Sequence, residues 1–326
     1  MEHLSKISVI IPCYNVANHL SKCVESIRAQ THKNFKLLLI NDGSSDATGK
    51  IADEFAVKDS RIKVFHQENR GASAARNFAI GKATSDLVLF IDGDDYIKEE
   101  YIKQLLTNYS EGNWPICGMV NIKKQAETNN QNFQKLLELY PKREIPKSNF
   151  MDLLAYNAFS SPCVRVYDLK IIREHQIRFD ENVSYQEDLL FNLKYARHIN
   201  HVTLVDYFGY CYVEHENSST GRFHENFKQR ESLQKELVTY INRPEDKFVL
   251  QEFMFQTAMR EISNIMHKKS PKDKRGKIAD LDELFQSESF AFFKSYINST
   301  KINFVLKKIL FFKKSSLIYR YYNLSK

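Results

Sequence analysis

Asp86-Leu-Val-Leu-Phe-Ile-Asp-Gly-Asp-Asp-Tyr96 is the stretch on which the reading of this chain turns. Leu87 to Ile91 is an unbroken apolar run, the pattern of a strand buried on both faces. It ends in Asp92, Gly93, Asp94 and Asp95. Three carboxylates crowded at a strand end repel one another unless a cation lies between them. Hard oxygen ligands suit Mg²⁺ or Mn²⁺, and Mg²⁺ is commonly shared with substrate phosphates. Gly93 lets the backbone turn sharply or lets a ligand come close. In an open α/β sheet, ligands gather at the carboxyl ends of the strands. The stretch therefore reads as a metal and diphosphate site, although the same residues also fit an acidic turn that merely closes a strand.

Working outward, Ile7-Ser-Val-Ile-Ile11 is a strand stopped by Pro12, and Asn18 can cap a helix with Leu20, Val24 and Ile27 on one face. Phe35 to Ile40 is a second strand, after which Ser44 or Ser45 can cap a helix running to about Val57. Ile62 to Phe65 is a third strand, and Gly71-Ala72-Ser73 opens a small-residue helix through Ile80. With Leu87–Ile91 as the fourth strand, this strand–helix alternation implies a largely parallel sheet joined by right-handed crossovers.

The ordered set Ile10-Ile-Pro-Cys-Tyr-Asn15, Asn41-Asp-Gly-Ser-Ser-Asp46, Asn69-Arg-Gly-Ala-Ser-Ala-Ala-Arg-Asn77 and Asp92-Gly-Asp-Asp95 resembles glycosyltransferase family 2. Four motifs in order are far more specific than any one of them. The resemblance is strong over residues 5–110 and looser to about 220. It implies a GT-A fold, a Rossmann-like and mostly parallel sheet flanked by helices. We expect residues 1–222 to form this catalytic domain, with 1–110 as its nucleotide-binding half and 111–222 as its acceptor half. Residues 223–326 would then be a helical C-terminal extension.

Tyr14 follows the first strand, so its ring can lie on a nucleobase, a contact worth about 1–3 kcal/mol. A core tyrosine is the alternative, although Pro-Cys-Tyr-Asn is a poor core sequence. Asp42 can accept from a base N–H such as uracil N3, a role the resemblance implies along with a base contact near Pro12. An Asx-turn would explain Asp42 equally. Arg76 lies one turn into a helix whose start suits a diphosphate, and its fork of donors fits phosphate oxygens; a surface salt bridge is the alternative. The resemblance places the matching arginine at the diphosphate, Asp92 at the ribose hydroxyls and Asp94 on the metal. Asp95 is then left to cap the segment after the turn.

In the second half, Trp114 to Val120 reads as a strand and residues 123–147 as a loop or helical insertion. Ser184-x-x-Glu187 has the form of a capping box, which gives Glu187 a structural task. By resemblance to inverting members, the Glu-Asp pair holds the general base. We assign it to Asp188 with Glu187 as the alternative; two acids matching a helix dipole would also fit. His215 is similar to a histidine that many GT-A enzymes bring to the metal or diphosphate. Val213-Glu214 stands where the family often has Tyr-Arg, and Arg165 where relatives often carry Lys.

The five cysteines, Cys13, Cys23, Cys117, Cys163 and Cys211, lack CxxC spacing and read as free thiols of a reducing cytoplasm rather than a zinc site. The chain carries a net charge of +7. Residues 301–326 hold seven basic side chains and no acid, so the first three hundred residues are neutral overall. That distribution argues against nucleic acid. Cations interleaved with Phe304, Phe311, Phe312, Tyr319, Tyr321 and Tyr322 suit an anionic leaflet, or a helix packed on the body with a solvated basic face. No spanning helix and no secretory signal are expected.

The expectation is a cytoplasmic, metal-dependent, inverting glycosyltransferase, with peripheral docking on the inner face of the plasma membrane as an option that the basic tail leaves open. It would use Mn²⁺ or Mg²⁺, a nucleotide-sugar donor, expected to be UDP-linked, and a glycan or lipid-linked glycan acceptor in surface polysaccharide synthesis. A homodimer stays open. The rival readings are a sugar nucleotidyltransferase, which usually has a Gly-rich loop after the first strand, and a non-catalytic membrane-docked nucleotide-binding module.

Overall fold

The alternation read from the sequence is realised as β1 (Ile7–Cys13), α1 (Ala17–Arg28), β2 (Phe35–Asp42), α2 (Thr48–Lys58), β3 (Ile62–Gln67), α3 (Ala72–Lys82) and β4 (Leu87–Phe90). The structure, a computed structural model, describes all residues except 1–4, 124–125, 184, 215–229, 300–303, 312–313 and 325–326. The chain divides into two compact units, 1–181 with 186–218, and 182–185 with 219–326.

The first unit continues through β5 (Tyr96–Ile97), α4 (Tyr101–Thr107), β6 (Asn113–Lys123), β7 (Ala126–Asn129), α5 (Gln131–Leu139), β8 (Glu144–Pro146), α6 (Phe150–Ala155), β9 (Val166–Asp168), α7 (Leu169–Glu174), α8 (Glu187–Ala196) and β10 (His201–Val213). Its main sheet has the order β3-β2-β1-β4-β9. The first four strands are parallel, with Ile7 opposite both Phe35 and Leu87, and β9 closes the edge antiparallel. Central strands buried on both faces need continuous apolar sequence, which β1, β2 and β4 have. A second sheet orders β5-β10-β6-β7, with β8 also on β10. Within it, Gly118 lies so close to the Phe208 ring that no side chain could stand there.

An aromatic cluster lies behind β4. Phe90 meets Tyr167, Phe179 and Phe191 edge to face, and Phe179 stacks on Phe191 at 3.9 Å. This cluster joins β4, whose end carries the acidic motif, to α8, whose start carries Glu187 and Asp188. All five cysteines are buried free thiols.

The second unit is helical: α9 (Arg230–Val238), α10 (Asp246–Ile265), α11 (Lys274–Gln286), α12 (Glu288–Phe293), α13 (Phe304–Phe311) and α14 (Ser315–Leu324). Arg230 is buried against Glu261 and donates to Ser287 Oγ at 2.7 Å. Within the basic tail, Ile318 of α14 is buried and Ser315 Oγ donates to Asp282 Oδ1 of α11 at 2.5 Å. That part of the tail is thus folded onto its own unit. Among the described residues, no helix is long and apolar enough to cross a membrane.

Candidate active site

The loops after β1 and β2 are stapled to each other. Asn15, in the left-handed region at φ 53, donates its N–H to Ser44 Oγ (3.1 Å) and accepts from Ser45 N (2.9 Å). Val16 N donates to Thr48 Oγ1 and Ala17 N to Asp46 Oδ2. The free N–H groups at the start of α1 are therefore met from a loop some thirty residues on, and Asn18 is not its cap. Nor do Ser44 and Ser45 cap α2, which begins at Thr48 with Asp46 Oδ1 accepting from Thr48 N at 2.9 Å. Helix ends take whichever acceptor the fold brings near. Tyr14 stands on this brace with half of its surface exposed (51%), and Pro12 beside it is partly buried. A half-open ring at a strand end is a ready stacking face.

Asp42 has other work than the base contact expected of it. It is 2% exposed, and both of its oxygens are turned to the loop before α3. They accept from Gln67 Nε2 (2.7 Å), Arg70 N (3.0 Å) and Gly71 N (2.8 Å). Gly71 has φ 88, so the chain enters α3 through a bend that favours glycine, and Asp42 holds that bend.

Arg76 is likewise placed differently from expectation. It is 4% exposed and lies over the Phe179 ring at 5.2 Å. Its Nη1 donates to Asp188 Oδ1 at 2.9 Å and its Nη2 to Asp92 Oδ1 at 2.8 Å. The fork is spent on two carboxylates instead of standing open to a diphosphate. This ion bridge brings together motifs 96 positions apart in the chain. Burial pushes the Asp188 carboxyl above the usual carboxylate range, Arg76 pulls it back, and Glu187 and Asp92 add to the rise. A quarter of the Asp188 side chain (24%) still meets solvent, as does 39% of Asp92.

Asp188 sits in the first turn of α8, after Gln186 in the left-handed region at φ 62. The helix starts at Glu187, so Glu187 is not the third helical residue a capping box requires, and Ser184 lies outside the described residues. The segment before the pair is held by Asn77, which the sequence reading left without a role. Asn77 Nδ2 donates to Phe179 O (2.9 Å) and Glu181 Oε1 (3.0 Å), and Asn77 Oδ1 accepts from Phe179 N (3.0 Å). The only signal of it was its place at the end of the Asn69–Asn77 motif.

At the acidic turn, Asp95 is buried and tied to β10: it accepts from Tyr210 Oη (2.6 Å) and Val213 N (2.8 Å). Tyr210 Oη also accepts from Asp92 N at 3.3 Å. Burial and the charges of Asp92 and Asp94 push the Asp95 carboxyl up. The same three acids raise the Cys23 thiol beyond what its burial does. A Cβ at Gly93 would stand 3.2 Å from Pro12 O, so the turn is packed tightly on the end of β1. Crowded negative charge on hard oxygens, with Asp92 and Asp94 partly open, fits a divalent cation that takes its remaining ligands from phosphate and water. Among the described residues no group of three or more His, Cys, Asp and Glu side chains is placed to hold a metal ion. His215 lies outside the described residues.

Arg165 is fully buried, 4.6 Å over the Trp114 ring, and its Nη2 donates to Ala158 O. It holds the segment between α6 and β9, as does Asn192, whose Nδ2 donates to Phe159 O.

The family model described as Glycosyl transferase family 2 matches residues 8–174. Two Bacillus subtilis (strain 168) proteins are similar. One, named an uncharacterized glycosyltransferase EpsJ, is 31% identical over 219 residues, 66% of this chain. The other, named a putative glycosyltransferase EpsH, is 30% identical over 203 residues, 60% of this chain. The chain spans 62% and 58% of their respective lengths. S. aureus TarS 1-349, solved in complex with UDP-GlcNAc, superposes with a TM-score of 0.70 at 20% identity over 98% of this chain and 92% of its own. That likeness, with the sheet order above, shows the GT-A fold.

Proposed function

The chain belongs to glycosyltransferase family 2, and on that premise we propose that it moves a sugar from a UDP-linked donor to a hydroxyl of a glycan acceptor, with inversion. The observation that carries this reading is the Asp92–Arg76–Asp188 bridge. It sets one carboxylate, next to an acidic metal-type turn, and another, at a helix start, on a single buried cation.

In this reading Tyr14 and Pro12 receive the base, Asp92 the ribose hydroxyls, and Asp188 the acceptor proton. As the acceptor oxygen bonds to C1 of the donor sugar, its proton passes to Asp188. The bond from C1 to the diphosphate oxygen breaks, and the electron pair leaves with UDP. A base raised toward neutrality by burial accepts a proton more readily than an ordinary carboxylate. A Mn²⁺ or Mg²⁺ ion at Asp94 would neutralise charge gathering on the leaving diphosphate. Arg76 orients Asp188 and Asp92 rather than gripping phosphate, which keeps the base aligned before substrate arrives. UDP-GlcNAc in the complex of TarS supports a UDP-linked donor.

The test is UDP release from a panel of UDP-sugars with Mn²⁺ and with chelator. Asp188→Asn should lower kcat by about 10²–10⁴, and Asp94→Ala should lose activity and metal dependence together. Pyrophosphate formation from a sugar phosphate and UTP, without UDP release, would point to a nucleotidyltransferase and refute transfer. UDP binding with no turnover on any acceptor would point to a binding module.

The seven cations and interleaved aromatics of residues 301–326 support docking on an anionic leaflet and hence a lipid-linked acceptor in surface polysaccharide synthesis. Co-sedimentation with anionic liposomes should fall when the cations of α14 and its flanks are replaced by Gln; unchanged binding would discard the idea.

A further inference from the structure

The chain leaves the first unit after Glu181 and re-enters it at Gln186, and Asn182–Tyr185 belongs to the helical unit. The proposed base, Asp188, follows three residues after Tyr185. Both ends of this short strap are fixed. At its entry, Glu181 Oε1 accepts from Asn77 Nδ2 (3.0 Å) and Glu181 Oε2 from Arg70 Nη2 (2.9 Å). At its exit, Gln186 is left-handed at φ 62, and its carbonyl accepts from Leu190 N at 3.1 Å, which closes the first turn of α8.

A left-handed glutamine is strained because its Cβ crowds the backbone, and such a residue persists only where its surroundings over-determine it. The restraint on its N-terminal side comes from the helical unit: Arg260 Nη1 donates to Tyr185 Oη at 2.6 Å. Arg260 itself stands on a rigid part of α10. The next residue, Glu261, is buried and paired with Arg230, and Arg230 also donates to Ser287 Oγ, the cap of α12. The guanidinium of Arg260 is thus at the surface while the helix that carries it is pinned.

We propose that Arg260 is a positioning residue for the transfer. Through Tyr185 it fixes the turn at Gln186, and with it the direction in which the first turn of α8 presents Asp188. The inference rests on the glycosyl-transfer reading above and gives the helical unit a task in it besides the tail, which is to hold the chain next to the base. Arg260 touches no reacting atom. A base must lie within hydrogen-bonding reach of the acceptor hydroxyl, so its rate falls when its mount turns. The nucleotide, received in the same reading by Tyr14 and Pro12, is untouched by that turn.

The test compares the native full chain with Arg260→Met, Tyr185→Phe, the double variant and Arg260→Lys. It reads kcat for UDP release, UDP affinity by calorimetry, the urea midpoint, and amide exchange across residues 186–192 by mass spectrometry. Each single loss variant should lower kcat about 2- to 10-fold, the worth of one hydrogen bond. The double variant should fall no further, because both changes remove the same contact. Arg260→Lys still has a donor for Tyr185 Oη and should recover most of the loss. UDP affinity and the urea midpoint should stay in place, since the pair is at the surface, while exchange across 186–192 should quicken. Native kcat in both single variants, additive losses in the double variant, or a fall in kcat that comes with weaker UDP binding overturns the proposal. If the native chain releases no UDP from any UDP-sugar, the transfer reading fails and exchange alone decides. Quickened exchange in both single variants then keeps the hold of Arg260 on this segment, and unchanged exchange discards it.

Discussion

Replacing Arg76 by Met tests the centre of the site. The side chain lies in a nearly closed space and donates to Asp188 at 2.9 Å and Asp92 at 2.8 Å. Removing one partner of a buried ion pair costs about 3–5 kcal/mol. Asp188 and Asp92 keep 24% and 39% of their side chains in contact with solvent, so water offsets part of the loss. We therefore expect the low end, about 3 kcal/mol, as a lowered urea midpoint with unchanged slope. The pH dependence has a definite sign. Asp188 must be ionised to accept a proton, so kcat/KM rises with pH through its raised pKa. Arg76 favours the ionised form, and its loss raises that pKa further. An opposite charge in contact moves a pKa by about 1–3 units, and partial exposure again selects the lower figure. The acid limb of the kcat/KM profile should move up by about one unit in Arg76→Met, and about tenfold in rate should be lost on that limb. Arg76→Lys should recover part of the shift, with one charge but no fork. An acid limb that stays in place in a folded Arg76→Met protein refutes the idea that this arginine sets the ionisation of Asp188.

Two further outcomes are expected from the geometry. Tyr14→Ala should weaken UDP binding, read by calorimetry, by about 1–3 kcal/mol, with little change in stability because the ring is half exposed; unchanged affinity would remove Tyr14 from the base site. Asn77→Ala leaves the Phe179 N–H and C=O without their partner and should cost about 2 kcal/mol in urea denaturation, together with a fall in kcat as the segment before Asp188 loosens; a stable variant with native kcat would mean the segment is held by its own packing.

The four parallel strands of the main sheet were legible because they announce themselves locally, whereas its antiparallel edge strand β9 and most of the second sheet were not. Leu87–Phe90 and Ile7–Cys13 are buried on both faces, and burial of that kind demands uninterrupted apolar sequence. Helix faces were legible for the same reason: Leu20, Val24 and Ile27 are all buried on α1. The starts of helices were not. Asn18, Ser44, Ser45 and the Ser184–Glu187 pair each have good capping chemistry, yet α1 is capped by Asp46 and Thr48, and α8 begins at Glu187. A cap read from sequence assumes a local partner, whereas a folded chain offers acceptors from any loop that comes within hydrogen-bonding reach.

The same distinction holds at the site. Sequence by itself determined which groups stand at the ends of strands, because strand periodicity and Gly, Pro and Asp punctuation are properties of a few neighbouring residues. The tertiary structure alone decided which groups each side chain meets. Asp42 turned to the Gln67–Gly71 loop, Asp95 to Tyr210, and Arg76 to Asp188 across 112 positions of chain. Hydrogen bonds and ion pairs act over a few ångströms, and it is chain folding that sets which residues come that close.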